Sequence, residues 1–266
     1  MQADEPGGGA GESFENVFIT GTSSGLGAGL AETCLEGGSR VYGLSRRPSD
    51  RYHARYEHVR CDLARLETIP EALDALLGDL DSLDLVVLNA GLVGEIRAMP
   101  HASLEDLRGI MDVNVWANKV ILDWLHERGV SGHQIVAISS GAAVLGNRGW
   151  AGYSISKAAL NMLMRLYAHE FPQAHLTALA PGLVDSKVMD YLCEVPNPWE
   201  FPAIQRLREA RGTQRMPGPR EAAERVLGVL PELRTYESGS YVDIRQITAP
   251  EEYQELLRRR EQTRGE

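Results

Sequence analysis

The sequence predicts a single α/β domain built on one doubly wound, seven-stranded and mostly parallel sheet with helices on both faces. Three observations predict it. From Phe14 onward, short apolar runs alternate with amphipathic stretches, the order in which strands and their covering helices follow one another. Several of the runs are β-branched or leucine-rich without polar alternation, as strands buried on both faces are. A chain of 266 residues with 43 % hydrophobic and 24 % charged content can also fill one large core, and no repeat or linker divides it.

Residues 1–13, rich in glycine and acid and lacking the basic-then-apolar order of a signal peptide, read as a disordered tail. Strands are expected at Asn16–Thr20, Arg40–Leu44, His58–Cys61, Leu85–Asn89, Gln134–Ser139, Leu176–Ala180 and Ser240–Ile244. Helices are expected at Leu26–Glu36, closed by Gly37-Gly38, and at Ser103–Arg128, with a serine cap, acids in the first turn and Gly129 at the end. Two more are expected at Tyr153–Glu170, stopped by Pro172, and at Pro219–Leu230, with proline in the first turn. Between Val188 and Pro219 the prolines 196, 198, 202 and 217 break the pattern. An irregular segment of roughly 30 residues inside a compact domain reads as a functional lid, here 188–219. The domain is expected over 14–247 and a charged tail over 248–266, starting as a helix where Glu251, Glu252 and Glu255 precede Arg258, Arg259 and Arg260.

A net charge of −10 excludes a nucleic-acid binder that works through a basic surface. No apolar run approaches the ~20 residues of a membrane span. Cys34, Cys61 and Cys193 are widely spaced and odd in number, which fits inert thiols in a reducing compartment, so a cytoplasmic protein is expected. The histidines 53, 58, 101, 126, 133, 169 and 175 show no ligand spacing and read as surface residues; no metal is expected.

Between the first strand and first helix lies Thr20-Gly21-Thr22-Ser23-Ser24-Gly25-Leu26-Gly27. Glycines at 21, 25 and 27 allow a tight turn, close approach of backbone to a pyrophosphate, and packing of helix on strand, while the helix N-terminus offers free N–H groups to phosphate. The bland alternative is a plain tight turn, which the flanking strand and helix disfavour. At the end of the second strand, where a carboxylate would hold the adenosine ribose of NAD(H), the sequence is Ser45-Arg46-Arg47. Two guanidiniums suit a 2′-phosphate, so NADP(H) is expected over NAD(H); otherwise both are surface charges on a turn. Asp62, after the third strand, reads either as an adenine contact or as a helix cap.

Tyr153-Ser-Ile-Ser-Lys157 sets a phenol and an ammonium one helical turn apart on one face. A phenol is a poor acid/base at neutral pH, and a nearby ammonium favours its phenolate. Thirteen residues upstream Ser140 closes the fifth strand, where its hydroxyl could hold a substrate oxygen beside Tyr153.

Thr20–Gly27, Asn89-Ala90-Gly91, Asn114, Ser140, Tyr153, Lys157 and Pro181-Gly182, in this order and at these intervals, resemble the short-chain dehydrogenase/reductase family over about residues 14–247. The resemblance implies a Rossmann-type fold and assigns roles residue by residue. Tyr153 is the acid/base, Ser140 orients the carbonyl, Lys157 binds the nicotinamide ribose and lowers the tyrosine pKa, and Asn114 supports a water relay to the lysine. Asn89 is structural first and cofactor-adjacent second, with Ala90 and Gly91 beside it. Pro181 and Gly182 wall the nicotinamide site, and Ser186 contacts the carboxamide. Leu63 and Val184 are counted with the cofactor contacts. Gly141, Ala142, Val144, Trp150, Leu183, Met189 and Trp199 are expected to line an apolar substrate pocket, or else to be core or lid packing. Trp150 leads them because it nearly abuts the tyrosine.

Within the family, Ser139–Ala143 with Gly149-Trp150 and Lys157–Ala159 is similar to sepiapterin reductases and benzil-type diketone reductases. Ser238–Asp243 resembles the former, whose matching aspartate anchors a pterin, although aspartate is also common there for structural reasons. Two departures are Leu88, where asparagine is common, and a lid without a pterin signature. The function implied is an NADPH-dependent carbonyl reductase acting on a small-molecule ketone or diketone. An alcohol dehydrogenase running in oxidation is the alternative; a non-catalytic cofactor sensor is disfavoured by the intact set. A homodimer or homotetramer is expected through the two long helices, since Ala159, Met162, Leu163, Leu166 and Tyr167 give more apolar surface than one sheet face needs.

Overall fold

The computed structural model describes residues 14–48, 53–195 and 198–263; the tail expected over 1–13, and Pro196 of the lid, lie outside them. Seven strands, β1 (Asn16–Thr20), β2 (Arg40–Ser45), β3 (Tyr56–Arg60), β4 (Ser82–Leu88), β5 (Ser131–Ile138), β6 (His175–Ala180) and β7 (Ser240–Asp243), form one sheet. Their order is β3-β2-β1-β4-β5-β6-β7 and every neighbouring pair is parallel. The absence of polar alternation has a direct cause. Phe18 and Val86 face one helix layer while Val17, Ile19, Leu85 and Val87 face the other, and all are enclosed.

The helices are α1 (Gly25–Glu36), α2 (Ile69–Leu77), α3 (Leu104–Met111), α4 (Ala117–Arg128), α5 (Ala142–Leu145), α6 (Ala151–Tyr167), α7 (Lys187–Glu194), α8 (Pro202–Ala210), α9 (Pro219–Leu233), α10 (Arg245–Thr248) and α11 (Pro250–Thr263). Leu26 and Leu30 of α1 with Ala223, Val226 and Leu230 of α9 cover one sheet face. Leu73 and Leu77 of α2, Ile121 and Leu122 of α4, and Leu160 and Met164 of α6 cover the other. Chain direction across the sheet reverses between β1 and β4, which opens a crevice at their carboxyl ends where such folds place ligands. Among the described residues no helix is long and apolar enough to cross a membrane.

Several expectations are corrected. No helix was read at α2, although Ile69, Ala72, Leu73, Leu76 and Leu77 form its buried stripe. The helix expected over Ser103–Arg128 is interrupted by a π turn at Asp112–Trp116; its serine cap, accepting from the Asp106 amide, and its left-handed Gly129 end are as expected. The segment expected to be irregular holds helices α7 and α8 among its described residues: Pro202 opens α8 in its first turn, where proline is tolerated, and does not break a helix. Ile96, Trp150, Met189, Leu192, Phe201, Ile204 and Met216 form a small core beneath these helices. Two histidines are not surface residues: His58 and His175 are half-buried.

Candidate active site

The β1–α1 turn sits at the crevice because β1 ends there. Gly21 has φ +77°, and a Cβ on it would lie 3.0 Å from the Ala90 Cα; its amide donates to the Leu44 carbonyl at 2.8 Å. On Gly27 a Cβ would stand 2.3 Å from the Gly21 carbonyl oxygen, so helix and turn touch only without a side chain. Ser24 caps α1, with Ser23, Gly25 and Leu26 around its N-terminus. A Cβ on Gly25 would come 3.4 Å from that of Ser186, which brings the β6–α7 segment (Pro181, Gly182, Val184) over the turn. Thr20 Oγ1 accepts from the Asn89 and Ala90 amides at 3.0 Å, and Asn89 Nδ2 donates to the Thr20 carbonyl at 2.9 Å. Asn89 therefore staples β4 to β1, the structural role expected first. Leu88 is buried in the core, where a side-chain amide would find only hydrocarbon.

At the end of β2, Arg46 and Arg47 are exposed. Ser45 is 5 % exposed and donates to the Arg47 carbonyl at 2.6 Å, so it shapes the turn and offers no free hydroxyl. Asp62 is exposed and accepts from the Ala64 amide at 3.2 Å, closing a turn ahead of α2. The Leu63 side chain is buried in the hydrophobic core.

Tyr153 and Lys157 lie one turn apart on α6 and are inward-facing. The Tyr153 hydroxyl lies beside Ser140, which acts to lower its pKa and whose Oγ accepts from the Ala142 amide at 3.1 Å. Lys157 is 3 % exposed and donates to the Ile138 carbonyl at 2.7 Å, its Nζ 5.7 Å from the Tyr153 ring centre. Burial pushes the lysine down to about 8. It pushes the tyrosine up, against the expectation, and Ser140 offsets part of that. Desolvation wins at both groups because neither has an ionised partner at contact distance. The Asn114 amide, on the π turn, donates to the Leu92 carbonyl and Ser156 Oγ at 2.8 and 2.9 Å, and its oxygen accepts from the Leu92 amide at 2.7 Å. Its backbone carbonyl accepts from Asn118 Nδ2 at 2.8 Å. Ser156 in turn donates to the Tyr153 carbonyl at 2.9 Å, a link that no sequence signal marks because serine is ordinary on a helix.

The apolar lining is partly corrected. Gly141, Ala142 and Val144 follow Ser140 and are half-buried, and Leu183 is 36 % exposed at the crevice side. Trp150 and Met189 are buried in the lid core, with the Trp150 ring 5.5 Å from that of Tyr153. Trp199 is 71 % exposed and takes no part in that core. Both carboxylate oxygens of Asp243 accept from Arg245, at 2.8 and 2.6 Å, which favours its structural reading. Two lid contacts were not anticipated. The Ile96 amide donates to the Tyr191 hydroxyl at 3.3 Å, and Arg211 pairs with Asp185 and Asp190 at 3.1 and 2.5 Å. Among the described residues no cluster of histidine, cysteine and acid could hold a metal.

A model of the short chain dehydrogenase family matches residues 15–195. The chain belongs to this family. As a short-chain dehydrogenase/reductase it is an oxidoreductase whose cofactor class is a nicotinamide dinucleotide. It is 30 % identical over 246 residues to a benzil reductase ((S)-benzoin forming) of Bacillus subtilis, covering 88 % of this chain and all of the relative. It is 30 % identical over 205 residues to a benzil reductase of Saccharomyces cerevisiae, covering 68 % and 76 %. A solved short chain dehydrogenase family protein of Francisella tularensis has the same fold, with TM-score 0.74 and 22 % identity over 86 % of this chain and 96 % of that one.

Proposed function

We propose that this short-chain reductase uses NADPH to reduce the carbonyl of a ketone or diketone, with Tyr153 as proton donor. The observation that carries the proposal is the Ser140–Tyr153–Lys157 arrangement beside a backbone cradle. The residues present fit a dinucleotide. A Cβ on Gly91 would sit 3.2 Å from Asn114 Oδ1 and 3.4 Å from Lys157 Nζ, so this approach stays open only as glycine. The bond to Ile138 uses one of the three Lys157 donors, leaving others for ribose hydroxyls. Gly21, Ser23–Gly27, Gly91, Pro181, Gly182, Val184 and Ser186 would hold the pyrophosphate and nicotinamide ends, and Arg46 and Arg47 the 2′-phosphate.

When bound, the dinucleotide supplies a hydride for the carbonyl carbon. Tyr153 gives its phenolic proton to the carbonyl oxygen as negative charge develops there, and Ser140 donates to the same oxygen. Lys157 then favours the phenolate left behind. Asn114 acts as a positioning residue, holding the Leu92 backbone and, through Ser156, the first turn of α6. The likeness to two benzil reductases supports a bulky diketone as substrate. The reading extends to a cytoplasmic homodimer or homotetramer. It is tested by following NADPH and NADH consumption over a panel of diketones, including benzil, with quinones, pterins and ketoacids. Turnover of diketones with NADPH ahead of NADH is expected; oxidation of alcohols alone, or indifference to the cofactor, would contradict it.

A further inference from the structure

Edge strand β3 carries two polar side chains on one face, Tyr56 and His58, their ring centres 6.1 Å apart. Tyr56 reaches across β2 to Thr22 because Gly43 lies between: a Cβ there would stand 2.5 Å from the Tyr56 hydroxyl and 2.8 Å from Thr22 Oγ1. His58 is in register with Gly43, so its imidazole spans the diagonal to Ser45, two residues on. Ser45 Oγ stands 2.9 Å from His58 Nε2 and 2.6 Å from the Arg47 carbonyl oxygen. Proton counting fixes the direction of this chain. The carbonyl can only accept, so the single serine proton goes to it, and His58 must carry a hydrogen on Nε2 to meet the serine lone pair. The sequence of donations is His58 to Ser45 to Arg47.

This chain has a steric and an electrostatic consequence. It turns the Arg47 carbonyl inward, away from the outer arc of the turn where both guanidiniums are exposed. The Cys61 amide donates to the Ser45 carbonyl at 3.1 Å, which ties the end of β2 to the residue after β3. A turn held this way presents two cations to an incoming phosphate with the Arg47 carbonyl already occupied.

We propose that His58 is a positioning residue for the 2′-phosphate of the cofactor, acting through Ser45 on the Arg46–Arg47 turn. The inference rests on the NADPH reading given above. It is tested by titrating the full chain with NADPH and NADH, following cofactor fluorescence, for wild type, His58→Ala and His58→Gln. Glutamine places an amide N–H near the position of Nε2 and is the conservative rescue. Loss of one hydrogen bond in the chain should weaken NADPH about three- to tenfold, leave NADH unchanged, and be restored to within about twofold by His58→Gln. Should His58→Ala fail to fold, Ser45→Ala must produce the same NADPH-selective loss. Wild-type preference for NADPH that His58→Ala leaves intact, an equal loss for both cofactors, or no rescue by glutamine would overturn the inference and spare the NADPH reading. A wild type without preference would overturn both.

Discussion

Lys157 sits in a site that costs free energy to build. Its ordinary value is 10.5 and burial lowers it to about 8, so between those limits the unfolded chain holds a proton that the folded chain has released. Stability from this group therefore rises with pH from about 8 to 10.5, by on the order of 3 kcal/mol, and below pH 8 the full cost is present. Buried thiols and phenols such as Cys34 and Tyr153 act in the opposite direction as pH rises, so the difference isolates the lysine: in urea unfolding at pH 7.5 and 10 the wild type should gain on Lys157→Met at the higher pH; parallel pH profiles would contradict it. At the other end of the site, Arg46→Ala should raise KM for NADPH ten- to hundredfold over that for NADH, roughly the 1.5–3 kcal/mol of one charge-assisted contact. Equal effects on both would remove Arg46 from the 2′-phosphate site. Tyr56→Phe should weaken both cofactors alike, since its hydroxyl lies 2.7 Å from Thr22 Oγ1 on the turn facing the pyrophosphate they share. A loss confined to one cofactor would contradict that role. Ser140, Tyr153 and Lys157 were legible in the sequence because helical spacing and acid/base chemistry mark them. Ser156, Thr20, Tyr56 and His58 were not, because their partners lie 42, 69, 34 and 13 residues away and only the fold joins them.

At the scale of elements, pattern and propensity served the sheet well and the helix interruptions poorly. All seven strands were legible as apolar runs, yet β5 begins at Ser131, where Ser82 and Leu83 of β4 pair with Ser131 and Gly132; sheet partners, not propensity, extend it. The π turn at Asp112–Trp116 carries no residue signal, because a bulge preserves the apolar stripe on both sides and shows only as a shift of register. The segment 188–219 differs from its expected irregularity because proline disfavours a helix interior but not a first turn, where Pro202 starts α8. The α1–α9 contact makes a prediction at this scale. A Cβ on Gly29 would stand 2.3 Å from the Pro219 carbonyl oxygen, so Gly29→Ala must separate two helices that together cover one face of the sheet. A cost of about 1–3 kcal/mol is expected, read as a lowered Tm; an unchanged Tm would mean that α9 slides freely.

Across the whole molecule, the groups of the proposed chemistry gather at the carboxyl edge of one sheet, Ser140 just past β5 with Tyr153 and Lys157 on α6 and Asn114 on the π turn. Helix α6 also exposes apolar side chains. Met162 and Leu166 are 53 % and 58 % exposed, with Trp116 of the π turn at 42 %, the surface a symmetric partner would cover. Sedimentation should show a species at least twice 29.2 kDa, shifted toward monomer by Leu166→Glu; a wild type at 29.2 kDa alone would contradict the assembly and leave the chemistry untouched. The chemistry itself turns on one oxygen atom. Tyr153→Phe removes the phenolic proton while keeping the ring against Trp150. Diketone turnover with NADPH should fall by roughly 10² or more, the scale of a lost general acid, with NADPH affinity and Tm near those of the wild type. Turnover within a fewfold of wild type would contradict the assignment of Tyr153 as proton donor.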